Sequence, residues 1–163
     1  MAFLDKLSKF LNQVIACIAG GFLVIMVLLT CANIFLRMVW IPIKGTFELM
    51  GFFGAIVTAF ALGYTQIKKG HIAVDVLIST FPKTVQNVMG IVNSVICMIF
   101  FAFATWQISN YGTTLWKTGE MSETLRIIYY PFTYGVAFGC AALSLVFMVE
   151  MVKVLFPEKE AEN

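Results

Sequence analysis

Charge is scarce in this chain: only 12% of its 163 residues are Asp, Glu, Lys or Arg, against 60% hydrophobic residues. With a mean hydropathy of +0.90, that scarcity excludes a water-soluble globular domain, which could not hide so much apolar surface at this length, and it excludes intrinsic disorder. A formal net charge of +2 also leaves too little basic surface for nucleic-acid binding. Histidine is nearly absent. The single one, His71, rules out bis-histidine haem ligation and H-E-x-x-H zinc chemistry within the chain. There is no G-x-S-x-G and no C-x-x-C, and Cys17, Cys31, Cys97 and Cys140 all fall inside apolar segments as small packing residues. His71 and Asp75, four residues apart, are the only acid-base pair, and they suit a turn-to-helix contact better than a dyad or metal site. No cofactor, metal or intrinsic catalysis is expected.

Long uncharged runs fill the rest. Four stretches carry no charge for long enough to cross a bilayer: Phe10 to Leu36, Leu49 to Ile67, Thr84 to Trp116 and Ile127 to Val149. The reading is an all-α membrane protein, a four-transmembrane-helix bundle with short amphipathic interfacial helices. Its expected parts are an amphipathic N-terminal helix (1–13), spans over 14–36, 47–67, 85–108 and 130–155, an interfacial helix over 71–81, an outer loop over 109–129 and a tail over 156–163. The first apolar run is too long for the core of a cleaved signal peptide, and no small-x-small site follows it.

An even number of spans puts both termini on one side. Lys6, Lys9, Lys68, Lys69, Lys83, Lys153 and Lys159 then share the terminal side, opposite Arg37, Lys44, Lys117 and Arg126. The basic excess places the termini in the cytoplasm by the positive-inside rule. Trp40, Trp106, Trp116, Tyr111, Tyr129, Tyr130 and Tyr134 fall toward the outer ends, as an interfacial belt would. In the N-terminal helix Phe3, Leu4, Leu7, Phe10, Leu11 and Val14 form the apolar face, with Asp5, Lys6, Ser8, Lys9 and Asn12 turned elsewhere. The helix either lies in the interface or extends the first span. Ile72, Ala73, Val76, Leu77 and Thr80 form a second amphipathic face that ends near Phe81-Pro82.

The second span carries Gly51, Ala55, Ala59 and Gly63 at four-residue steps, which predicts a groove for close helix approach, to another helix of the chain or to a partner. Gly135 and Gly139 repeat the theme in the fourth span, and Ala16 and Gly20 in the first, as intrachain contacts. Nearly all ionisable residues stand at span ends, Glu48 and Glu150 among them, where a midplane transport carboxylate would not be. Asn33, Asn93, Thr58 and Gln107 are expected to hydrogen-bond between helices.

Glu48, the Gly/Ala-rich span, the tract K-K-G-H-I-A-V-D-V-L from Lys68 to Leu77, and Phe81-Pro82 together resemble the small, Q-type (DctQ-like) membrane subunit of tripartite ATP-independent periplasmic transporters. The tract from Ser122 through Tyr130-Pro131 to Gly135 is similar to that family's entry into the last helix. The chain has Lys68 and Lys69 where the family often has arginine, and Phe47 rather than tryptophan beside Glu48. The resemblance implies a bacterial or archaeal inner membrane, a soluble periplasmic binding protein that captures an organic acid, and a large (M-type) membrane subunit that carries it with sodium by an elevator-like motion. This chain would be the non-catalytic static scaffold. Glu48, Gly51, Ala55, Ala59, Gly63, Lys68, Lys69, His71 and Asp75 are then candidates for the interface with the large subunit. Trp116, Glu120, Glu123 and Arg126 are candidates for contact with the binding protein. A self-sufficient small homo-oligomeric transporter using Glu48, and a membrane anchor of a respiratory or signalling complex, are the alternatives.

Overall fold

The computed structural model describes residues 2–39, 41–68 and 82–155. Trp40, Lys69, His71 and Asp75, the interfacial helix expected over 71–81 and the tail over 156–163 lie outside the described residues. Four helices make up the rest: α1 (Ala2–Val39), α2 (Thr46–Ile67), α3 (Lys83–Thr118) and α4 (Tyr130–Leu155). Each is long and apolar enough to span a membrane. No strand occurs among the described residues, and the one β feature is an isolated antiparallel bridge between Met121 and Ile128.

The N-terminal amphipathic segment is the first part of α1, which runs unbroken for 38 residues. Its apolar face is turned away from the bundle and its polar face partly toward it. Phe10 is 67% exposed, whereas Asn12 is only 1% exposed. In a membrane the apolar side chain loses nothing by facing outward, so packing shape, and not polarity, decides which face turns inward. At 1.5 Å per residue α1 reaches about 57 Å and α3 about 54 Å, far beyond a hydrocarbon layer of roughly 30 Å, so both helices must tilt or project.

The helices alternate in direction, and α4 is the hub. It packs on α2 and on α3, α1 packs on α2 with a smaller contact to α4, and α3 is held chiefly by α4. Leu143, Val146 and Phe147 of α4 are the core, with Ile15 and Ala19 from α1, Ile56 and Ala59 from α2, and Leu115 from α3. Aromatic rings lock the layers: Phe52 stacks on Phe132 at 4.6 Å, Phe22 meets Phe53 at 5.2 Å and Phe101 stacks on Phe147 at 6.1 Å.

The small residues of α2 do not form one groove. Ala59 and Gly63 are buried, while Gly51 and Ala55 are exposed. Four residues turn a helix by about 400°, so each four-residue step drifts about 40°, and three steps move the face by about 120°. The inner half meets α4, where a Cβ on Gly139 would lie 2.8 Å from the backbone carbonyl of Ala59. Gly135 does contribute an intrachain contact, against Ile56. Gly20 does not, since the space beyond its Cα is open.

The third span also runs further than its polarity suggests. The outer loop expected to begin at Ser109 begins at Gly119, and Ser109 to Thr118 are helical. Thr113, Thr114 and Thr118 turn their hydroxyls back to the carbonyls of Ser109, Asn110 and Thr114, at 2.9, 3.1 and 3.1 Å. Packing of Leu115, 3% exposed, sustains the helix, which stops where Gly119 takes φ 65° and donates its N–H to the Leu115 carbonyl at 3.0 Å.

Candidate functional site

At the end of the bundle away from the N-terminus, Glu48 joins two connections that are far apart in sequence. Gly45 starts α2 with φ 75°, a left-handed conformation that suits glycine, and its carbonyl accepts the Leu49 N–H at 3.1 Å. Just before it, the Asn33 side-chain oxygen accepts the Ile43 N–H at 2.8 Å, and the Thr46 hydroxyl donates to the Ile43 carbonyl at 2.8 Å. Asn33 therefore ties α1 to the turn that follows it.

Glu48 sits in the first turn of α2, where the helix dipole favours a negative charge. One carboxylate oxygen accepts the Thr124 N–H at 2.8 Å and the other the Leu125 N–H at 3.1 Å. The loop 119–129 is shaped to present these donors. Ser122, 2% exposed, donates its N–H to the Ile127 carbonyl at 2.9 Å, and its hydroxyl oxygen accepts the Ile127 N–H at 3.2 Å. Arg126 takes φ 52° to close the turn, donating its N–H to the Ser122 carbonyl at 3.1 Å. The Leu125 side chain then fills the space beside Gly45, where a Cβ has no room. Glu48 is thus a clasp between the α1–α2 turn and the α3–α4 loop. Both of its oxygens hold backbone N–H groups, an arrangement suited to fixing a loop and not to carrying an ion.

Glu120, Glu123 and Arg126 are exposed on this clasped loop, and Trp116 is exposed at the end of α3. The structure gathers all four at the same end of the bundle as Glu48. At the opposite end Gln66 donates its Nε2 to Glu150 at 2.9 Å, joining α2 to α4. Lys68, the C-cap of α2, holds its ammonium 5.8 Å from the centre of the Tyr64 ring. Asn12 donates to the Ser8 carbonyl at 2.9 Å and lies against Gly63, with its amide oxygen buried and unpartnered among the described residues.

Other polar residues behave differently from expectation. Thr58 bonds within its own helix, to the Gly54 carbonyl at 2.8 Å. Asn93 and Gln107 are exposed on α3, and among the described residues Asn93 receives only a 3.9 Å contact from the Cys97 thiol. Ser144 reaches the Met98 carbonyl at 3.3 Å, and Thr113 pairs with the Tyr134 hydroxyl at 3.0 Å. Gln107 and Trp106 therefore lie beside the middle of α4. Trp106, 59% exposed, is three turns from the end of α3. Asn93, Ile96, Phe100, Phe103 and Gln107 recur at three- and four-residue steps and are all exposed, forming one outward stripe. Among the described residues, no three His, Cys, Asp or Glu side chains converge as metal ligands.

Compared with known families, residues 26–156 match the model described as tripartite ATP-independent periplasmic transporters, DctQ component. The chain belongs to that family. No curated protein and no solved structure gives a match. As a DctQ component, the chain is a small membrane subunit of a tripartite transporter. The family works with a large M-type subunit and a periplasmic binding protein. The two clasp partners, Thr124 and Leu125, could not be found from sequence spacing, because they stand more than seventy residues from Glu48. The only local signal was an acid three residues after a glycine at a helix start.

Proposed function

We propose that this DctQ component is the static scaffold of a sodium-coupled importer of organic acids in the inner membrane, and that it docks laterally on the large subunit through the outward stripe of α3. The observation that carries the docking face is the pair of amides, Asn93 and Gln107, exposed on the otherwise apolar outward stripe of a helix long and apolar enough to span a membrane. An amide facing hydrocarbon without a good partner costs about 2–7 kcal/mol. A neighbouring protein that hydrogen-bonds both amides and covers Ile96, Phe100 and Phe103 removes that cost. Gly51 and Ala55 of α2, left open by the chain itself, are a second place for close approach, whereas Ala59 and Gly63 are already used within the bundle. The chain itself performs no catalysis. Its termini are cytoplasmic, and the clasped outer loop presents Trp116, Glu120, Glu123 and Arg126 to the binding protein.

Site-specific photocrosslinking in the native host tests the docking face. A photoreactive residue at Phe103 is expected to capture a large polytopic membrane protein, and one at Leu23, 51% exposed on α1, is not. Capture from Leu23 with none from Phe103 would move the interface to α1. Uptake of an organic acid by the reconstituted assembly should need both the binding protein and a sodium gradient. Uptake by this chain alone would refute the scaffold role.

A further inference from the structure

The end of the bundle that carries the termini holds a groove that the transport reading does not use. Lys9 and Gln13 of α1 line it on one side, and Tyr64, Ile67 and Lys68 at the end of α2 on the other. The contact of Asn12 with Gly63 sets the relative height of the two helices and so brings Lys9 level with Lys68. We infer that this groove binds the phosphate headgroup of an anionic membrane phospholipid.

Depth is the first argument. The uncharged run of α2 ends at Ile67, and Lys68 is the first charge after it, so the groove stands where α2 leaves the hydrocarbon and lipid phosphates lie. Chemistry is the second. Two ammonium groups supply positive charge to one opening, and the Tyr64 hydroxyl and the Gln13 amide add neutral hydrogen-bond donors. The Tyr64 ring keeps the Lys68 ammonium nearby, 5.8 Å from its centre. Shape is the third. Beside the groove Phe10 and Val14 of α1 are exposed, and toward the membrane interior the space beyond Gly20 and Gly21 is open. A headgroup held by the lysines can therefore lay its acyl chains along an apolar surface. A soluble anion would gain nothing from that surface, which is why a lipid is the favoured occupant.

Native mass spectrometry of the full-length chain in mild detergent tests this, with dioleoyl phosphatidylglycerol and dioleoyl phosphatidylcholine offered in equal amounts. Retention of the anionic lipid should exceed that of the zwitterionic one. Lys9→Gln and Lys68→Gln should each lower the preference about fivefold, while Lys9→Arg with Lys68→Arg preserves it and Lys117→Gln, at the far end, has no effect. Equal retention of the two lipids, or a preference untouched by both Gln substitutions, overturns the site. Displacement of phosphatidylglycerol by millimolar inorganic phosphate overturns the lipid as its source. Should Lys9→Gln fail to give helical protein, Lys68→Gln alone, at the exposed end of α2, supports the same decision. None of these readouts depends on transport.

Discussion

Gly139 of α4 rests on the backbone of Ala59 in α2, so close that a Cβ on the glycine would stand 2.8 Å from the alanine's carbonyl carbon, its oxygen and its Cβ alike. No flexible side chain is available to give way. Gly139→Ala is therefore expected to push α2 and α4 apart and to destabilise the bundle by about 1–3 kcal/mol. Gly20→Ala, whose Cβ enters open space, should be neutral or stabilising by up to about 1 kcal/mol, since alanine is the better helix former. Thermal unfolding in the same detergent compares the two. Equal midpoints would mean that the α2–α4 contact is looser than the structure shows.

The clasp at Glu48 makes a prediction for the outer loop. Glu48→Ala removes the acceptor for the Thr124 and Leu125 N–H groups, and Arg126, exposed on the same loop, is a site for trypsin. Cleavage after Arg126 should speed up several-fold in the variant, with Glu48→Gln intermediate because it keeps one acceptor oxygen. An unchanged cleavage rate would show that the loop is held by its own Ser122 contacts and not by Glu48.

Gly45 and Leu125 form the apolar half of that clasp. Gly45→Ala suffers twice, from the left-handed backbone at φ 75° and from collision with the Leu125 side chain. Gly119→Ala suffers once, from φ 65° with open space beyond, at about 1–2 kcal/mol. The first substitution should cost more than the second, and Leu125→Ala should recover part of the difference, which a double-mutant cycle on unfolding midpoints would read. Strict additivity would rule out the contact.

At the other end, Gly63 makes room for Asn12. Gly63→Ala places a methyl where the Asn12 amide oxygen lies and should destabilise by about 1–3 kcal/mol. Asn12→Ala in that background should restore stability in part, because it removes both the collision and a buried oxygen that has no hydrogen-bond partner among the described residues. Failure of the double variant to improve on Gly63→Ala would show that the collision with Asn12 is not the source of the cost.

Some of this was legible in the residues and some was not, for reasons that differ by element. The placement of Glu48 at the start of α2 followed from charge spacing, but its partners did not, since hydrogen bonds to backbone N–H groups leave no mark on side-chain identity. The end of α3 was misread at Ser109 because polar residues usually signal a loop. Here Thr113, Thr114 and Thr118 satisfy their hydroxyls within the helix, and burial of Leu115 keeps the chain helical to Gly119. Asn12 and Phe10 fall on different faces of α1, as their spacing indicates, but that the Asn12 face is the one turned against Gly63 of α2 could not be read from one segment.

The sequence alone determined the four long apolar segments and the family. Those properties depend on the local balance of apolar and charged residues, which the bilayer reads segment by segment. Only the tertiary structure decided which half of the α2 small-residue series meets α4, which polar groups clasp distant loops, and which α3 stripe stays uncovered. These depend on helix rotation and relative height, and such quantities are set by the fit of side chains against a neighbour rather than by any one segment's composition.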